Sequence, residues 1–141
     1  FTVDLYDAAI AGWGDLRIEG YIRGKQVIVR RFTDRGIDQK FEVLPDATQL
    51  NADGADTTRV VLRVADEFGA ARPFSNDAIR LQLEGPAEII GDNPFALVGG
   101  AGAVWIRAQE QGGTARLTAT HPVLGERVVQ FTLAAAAPEV V

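Results

Sequence analysis

One feature constrains this chain above all others: apolar and polar residues alternate with a period of two. Leu16, Ile18, Gly20 and Ile22 interleave with Arg17, Glu19, Tyr21 and Arg23. Val60, Leu62 and Val64 repeat the pattern with Arg63 on the opposite parity. Ile79, Leu81 and Leu83 do so against Arg80, Gln82 and Glu84. Ala115, Leu117 and Ala119, then Val129, Phe131 and Leu133, continue it. Successive side chains of a strand point to opposite faces, so each run describes a strand with one buried and one wet face. A helix would need apolar residues every three to four positions, and no segment shows that spacing.

Between the runs stand Gly, Pro, Asp and Asn, the residues that turn a chain. Strands are expected at 15–23 and 26–32, with Gly24-Lys25 as a type II′ hairpin turn because Gly takes its first central position. Seven more are expected from Ile37 onward, at 40–44, 58–65, 78–84, 87–90, 103–109, 114–121 and 126–133. Short strands at this spacing, with turns between them, describe an antiparallel β-sandwich whose two inward rows bury each other. Gly99-Gly100-Ala101-Gly102 reads as a flexible connection, and Ala134 to Glu139 as a frayed tail or linker.

Composition narrows the function classes. The chain has 141 residues, which suits one domain or one domain plus a piece of another. Its 47% hydrophobic content supports a folded core. The net charge is −5 and the 14 basic residues form no stripe with interleaved aromatics, so nucleic acid is not an expected partner. Apolar runs fall far short of the ~18 residues that read as a membrane span. Phe1-Thr2-Val3-Asp4 lacks the basic start and apolar core of a signal peptide, and the absence of an initial Met reads as an excised or processed chain. The lack of cysteine removes disulfides, thiolate metal sites and cysteine nucleophiles. It leaves the compartment open. The one histidine, His121, precedes Pro122 in a turn-like segment and reads as a surface residue.

The acidic stretch 50–70 invites a chemical reading. Asp53 and Asp56 lie at one end, Asp66 and Glu67 at the other. The strand between them spans roughly 26 Å at ~3.3 Å per residue. A glycosidase carboxylate pair is at most ~9.5 Å apart. The two ends therefore share neither a reaction nor a cation. Asp53-Gly54 and Asp66 to Gly69 read as turns. A cation site at a single end is the other reading.

Aromatic residues supply the remaining candidates. If Val104, Ile106 and Ala108 face the core, Trp105 points outward with Arg107 and Ala103. An outward Trp marks a neighbouring domain or a sugar ring stacked on the indole; with reversed parity it would fill the core. Trp13, between Gly12 and Gly14, reads as a plug over one end of the hairpin. Tyr21 lies on the hairpin's polar face. Asn93-Pro94-Phe95 reads as a turn.

Several segments together resemble a known family. Ala52-Asp53-Gly54-Ala55-Asp56, Val60-Val61-Leu62-Arg63-Val64, Asp66-Glu67-Phe68-Gly69 and Pro73 are similar to the opening of an immunoglobulin-like module near the C-terminal end of glycoside hydrolase family 2 enzymes of the β-galactosidase type. Leu83 to Asp92 resembles that module's next strand and Gly-Pro turn. Gly102 to Arg107 and Gly113 to Thr120 resemble its last strands. The likeness runs from about Ile37 to Leu133. Leu16 to Val27 resembles the closing hairpin of the preceding immunoglobulin-like domain, with Thr33 to Gly36 as the linker. The segment 92–102 is shorter than the family's usual loop, and the catalytic barrel does not fit in a chain this short.

The resemblance implies an all-β, immunoglobulin-like antiparallel sandwich with an added N-terminal hairpin. It divides the chain into 1–36 (the hairpin, a remnant of the preceding domain), 37–134 (the sandwich) and 135–141 (the tail). It implies a non-catalytic accessory module of a bacterial glycosidase, cytoplasmic or secreted, with no catalytic, cofactor-binding or metal-binding residue of its own. Its partners would be the parent's other domains, met through Trp105, Arg107, Trp13 and Tyr21. Two further readings stay open. A carbohydrate-binding module would use the same aromatics on sugar. An adhesin-type structural repeat would occur in tandem.

Overall fold

The structure, a computed structural model, describes residues 14–135. Eleven strands fall into three sheets. β1 (Leu16–Ile22) and β2 (Lys25–Phe32) pair antiparallel as a two-stranded sheet of their own. The four-stranded sheet has the order β3-β5-β9-β7, made of Lys40–Pro45, Thr57–Ala65, Ala101–Ala108 and Ala87–Ile90. The five-stranded sheet has the order β4-β11-β10-β6-β8, made of Gln49–Ala52, Gly125–Ala135, Gly113–His121, Ala78–Glu84 and Phe95–Ala96. The described residues contain no helix. The chain is the all-β sandwich that its alternation requires.

The two inner faces meet in one core. β5 contributes Val60, Leu62 and Val64, and β9 contributes Val104, Ile106 and Ala108, all closed to solvent. From the other sheet come Ile79, Leu81, Ala115, Leu117, Ala119, Phe131 and Leu133. Phe41 and Phe131 are its largest fully buried side chains. Each such aliphatic or aromatic side chain contributes about 1.5–3 kcal/mol by leaving water, which is why the buried parity is so regular.

Seven of the nine sandwich strands stand where the alternation puts them. The other two, β4 and β8, are the shortest of their sheet, at four and two residues. β4 pairs parallel with the end of β11, Leu133 to Leu50 and Ala135 to Ala52. β11 therefore runs two residues past its expected end, and the segment expected to fray begins inside a sheet. Residues 136–141 lie outside the described part.

Two turns also differ. The hairpin turn is Arg23-Gly24, with φ of 49° and 76°. Positive φ at both central residues is a type I′ turn, one residue before the expected type II′ turn. A bulge at Val27 restores the register, since Tyr21 faces Gln26 while Gly20 faces Ile28. The glycine run 99–102 is a packed corner rather than a flexible connection. The Gly100 carbonyl accepts from Val64 N at 2.8 Å and its N–H donates to Ser75 O at 2.9 Å. Its φ is +80°, and a Cβ there would sit 2.1 Å from Arg72 O. Glycine is required by close approach, not by mobility.

Candidate functional site

The outer faces of the two sheets differ in chemistry. The five-stranded sheet shows Arg80, Gln82 and Glu84 on β6, set against Thr118 and Thr120 on β10. This is a solvated face, with Val128 as its exposed large apolar side chain. The four-stranded sheet is different. Trp105 stands at its centre, 44% exposed, between the inward Val104 and Ile106. Its cross-strand neighbours are Arg59 on β5 and Ile90 on β7. In the next register row Leu44, Val61 and Ala103 line up across β3, β5 and β9. Leu44 and Ile90 are exposed, and Val61 and Ala103 are half-buried. An apolar strip thus crosses the sheet.

Three ion pairs border the strip. Arg59 holds both carboxylate oxygens of Asp46, at 3.0 and 3.2 Å. Arg63 holds Glu42 Oε2 at 2.8 Å through Nε. Arg107 pairs with Glu88 on β7. The Arg59 and Arg107 pairs are exposed, and pairs of that kind add little stability, about 0–1 kcal/mol each, while the Arg63 pair is half-buried. Their effect here is to neutralise every arginine on the face. An apolar strip with a charge-balanced border has the composition of a protein interface, in which Trp and Arg are enriched at the energetic centre.

The structure brings Trp105 and Arg107 onto this one face. Tyr21 is elsewhere, near the hairpin turn, 58% exposed, with its hydroxyl donating to Glu19. That hydrogen bond holds the Tyr21 phenol above its ordinary range and the Glu19 carboxyl below its own. Trp13 lies outside the described residues. Leu44, Val61 and Ile90 complete the strip but are unremarkable as sequence. They join Trp105 only through cross-strand register, which sequence periodicity within one strand does not encode.

The acidic stretch resolves into caps. Asp53 accepts from the N–H groups of Ala55 and Asp56 at 2.9 and 2.7 Å, which hold its carboxyl below the ordinary range. Asp56 Oδ2 accepts from Asn51 N at 2.7 Å. Asp66, 5% exposed, accepts from Phe68 N and Ala70 N at 2.9 and 3.0 Å. The nine residues of β5 separate the two turns. Among the described residues, no three His, Asp or Glu side chains converge as a metal set. Asn93 is likewise occupied: its amide brackets β6 by accepting from Leu81 N and donating to Leu81 O.

His121 is a correction. It is 2% exposed, not a surface residue. Its Nδ1 accepts from Val123 N and Leu124 N, both at 3.1 Å, and its ring lies 5.5 Å from that of Phe41. Nδ1 acting as acceptor leaves the proton on Nε2, which lies 3.3 Å from Asp77 Oδ2. The signal was present in the sequence: His121 continues the inward parity of Ala115, Leu117 and Ala119. Pro122, a turn signal directly after it, masks that parity.

The model of the family "Glycoside hydrolase family 2 C-terminal domain 5" matches residues 41–130. A β-galactosidase of Thermoanaerobacterium thermosulfurigenes is 42% identical over 89 residues, covering 63% of this chain and 12% of that protein. A β-galactosidase of Rhizobium radiobacter is 31% identical over 121 residues, covering 86% of this chain and 88% of that sequence. Among solved structures, a glycosyl hydrolase family 2 member from Bacteroides cellulosilyticus superposes with a TM-score of 0.69 at 21% identity, over 85% of this chain and 17% of that one. A β-glucuronidase from glycoside hydrolase family 2 gives 0.67 at 18% identity, over 88% and 14%. At these identities the structural likeness shows the fold. The chain spans about an eighth of the length of the first of these relatives.

Proposed function

The chain belongs to the glycoside hydrolase family 2 C-terminal domain 5 family, and from that premise we propose that it is a non-catalytic accessory module of a bacterial β-galactosidase-type enzyme, docked on another domain of its parent through the Trp105 face. One observation carries the proposal: the four-stranded sheet leaves an apolar strip open to water between charge-balanced borders, while the opposite sheet shows a polar face. The non-catalytic reading rests on how the carboxylates are used. Hydrolysis of a glycosidic bond takes two carboxyl groups facing each other across the scissile bond. Here Asp53 and Asp66 cap turns at opposite ends of β5, and Asp46, Glu42 and Glu88 each hold an arginine.

Residues 1–36 fit a different domain. The β1–β2 sheet shares no ladder with either sandwich sheet. It leaves Ile18, Ile28 and Phe32 exposed at 44–47%. A two-stranded hairpin is marginal alone and needs a further layer on its apolar face. This supports reading it as the closing hairpin of the neighbour that precedes the sandwich.

The test uses the parent enzyme carrying Trp105→Asp. A carboxylate placed in a docked apolar strip lowers the parent's thermal midpoint while the isolated chain keeps its own. An unchanged parent midpoint overturns the docking proposal. Titrating β-linked oligosaccharides into the Trp13→Phe chain, with indole emission as the readout, separates docking from sugar binding. Docking leaves the emission flat; a saturable change assigns the face to sugar.

A further inference from the structure

The segment that joins the hairpin to the sandwich, residues 33–39, has the sequence of a flexible connection, Thr-Asp-Arg-Gly-Ile-Asp-Gln. It is held at several points by one turn of the sandwich, the one that follows β5. Thr33 Oγ1 donates to Glu67 Oε1 at 2.8 Å. The Arg31 guanidinium lies 5.7 Å over the Phe68 ring, within cation–π range. Arg72 donates through Nε to Asp38 Oδ1 at 2.9 Å and through Nη2 to the Gly36 carbonyl. Lys40 Nζ donates to the Glu67 carbonyl at 2.9 Å, and Gln39 N to Ala65 O at 3.0 Å. Every contact runs between segment 31–40 and segment 65–72.

The holding turn is itself braced by hydrogen bonds. Its backbone is drawn together by the buried Asp66 carboxylate. Arg72 is anchored from both sides, its N–H donating to Val64 O at 2.9 Å and its carbonyl accepting from Ser75 N at 3.0 Å. Gly100 packs against that same carbonyl, where a Cβ would not fit. The Arg72 side chain is 20% exposed and Asp38 35%, so this pair is shielded from water more than the ion pairs of Arg59 and Arg107.

We infer that the turn 66–72 is a joint: through Glu67, Phe68 and Arg72 it sets the direction in which the β1–β2 hairpin leaves the sandwich, and with it the bearing of any domain that the hairpin completes. Arg72 and Glu67 are positioning residues in this scheme. The same Asp-Glu-Phe-Gly turn that ends a strand thus serves the connection between units. The joint stands whether or not the Trp105 face docks, because none of its contacts involves Trp105, Leu44, Val61 or Ile90.

The test uses the absence of cysteine, which allows clean labelling at two introduced sites. Spin labels at Lys25→Cys, the first residue of β2 beside the hairpin turn, and Gln111→Cys on the β9–β10 turn report the hairpin's direction by pulsed dipolar spectroscopy. The chain with its joint intact gives one narrow distance distribution. Glu67→Ala with Arg72→Ala, which removes the acceptor of Thr33 and the donors to Asp38 and Gly36, broadens it about twofold or more, as a released flexible tether requires. Thr33→Val, which leaves the sandwich untouched, broadens it less. Backbone resonances of β10 and β11 stay in place throughout. A distribution already broad in the parent chain, or one unchanged by the double substitution, overturns the joint.

Discussion

At the scale of single residues, this chain uses its polar groups to hold backbone. Asp53 illustrates the electrostatic consequence. Two N–H donors stabilise its ionised form and depress its folded-state pKa. A depressed carboxyl contributes stability above its unfolded-state pKa and loses it as pH falls through the folded-state value. Carbon-detected titration is therefore expected to find Asp53 titrating below an ordinary aspartate, and Asp53→Asn to flatten the acid limb of the stability profile. A normal Asp53 titration would contradict this. His121 illustrates packing. Alanine there removes a ring seated on Phe41 and strands the two N–H donors of Val123 and Leu124. Denaturant unfolding of His121→Ala is expected to show a loss of about 2–4 kcal/mol. The burial of His121 was legible from parity; its two backbone donors were not, because they depend on how Pro122 directs the turn. Gly100 was legible as glycine but not as a corner, since the atom that excludes a Cβ belongs to Arg72, distant in sequence.

At the scale of elements, strands obey their alternation where both faces have a defined environment. β5, β6, β9, β10 and β11 each bury one parity and were legible for that reason. β4 and β8 were not. β8 has two residues, too few to show an alternation, and β4 is held by its parallel pairing with β11, a property of the sheet rather than of either segment. The Trp105 strip has the same origin: the alternation of β9 allows Trp105 outward or, with reversed parity, in the core, and Leu44 and Ile90 join it only across ladders. β9 itself offers a paired test. Ile106→Lys puts a charge into a closed core, whereas Trp105→Lys lays its aliphatic stem on the sheet and its ammonium in water. The first is expected to cost at least about 3 kcal/mol more than the second, read from urea midpoints of the two variants. Equal losses would place Trp105 in the core.

At the scale of the whole molecule, the chain is a sandwich with a hairpin carried on a held connection, and it makes up a small fraction of several of its relatives. Nothing in its alternation specifies a partner; that information lies in one outer face and in the contacts of segment 31–40. In the proposed accessory role this fold supports an enzyme without performing the reaction. The most direct measurement is the rate at which the purified 141-residue chain hydrolyses an aryl β-galactoside. An accessory module gives a rate equal to that of buffer at every chain concentration. A rate that rises in proportion to the chain, and that falls when a single carboxylate such as Asp56 is replaced by its amide, would contradict it.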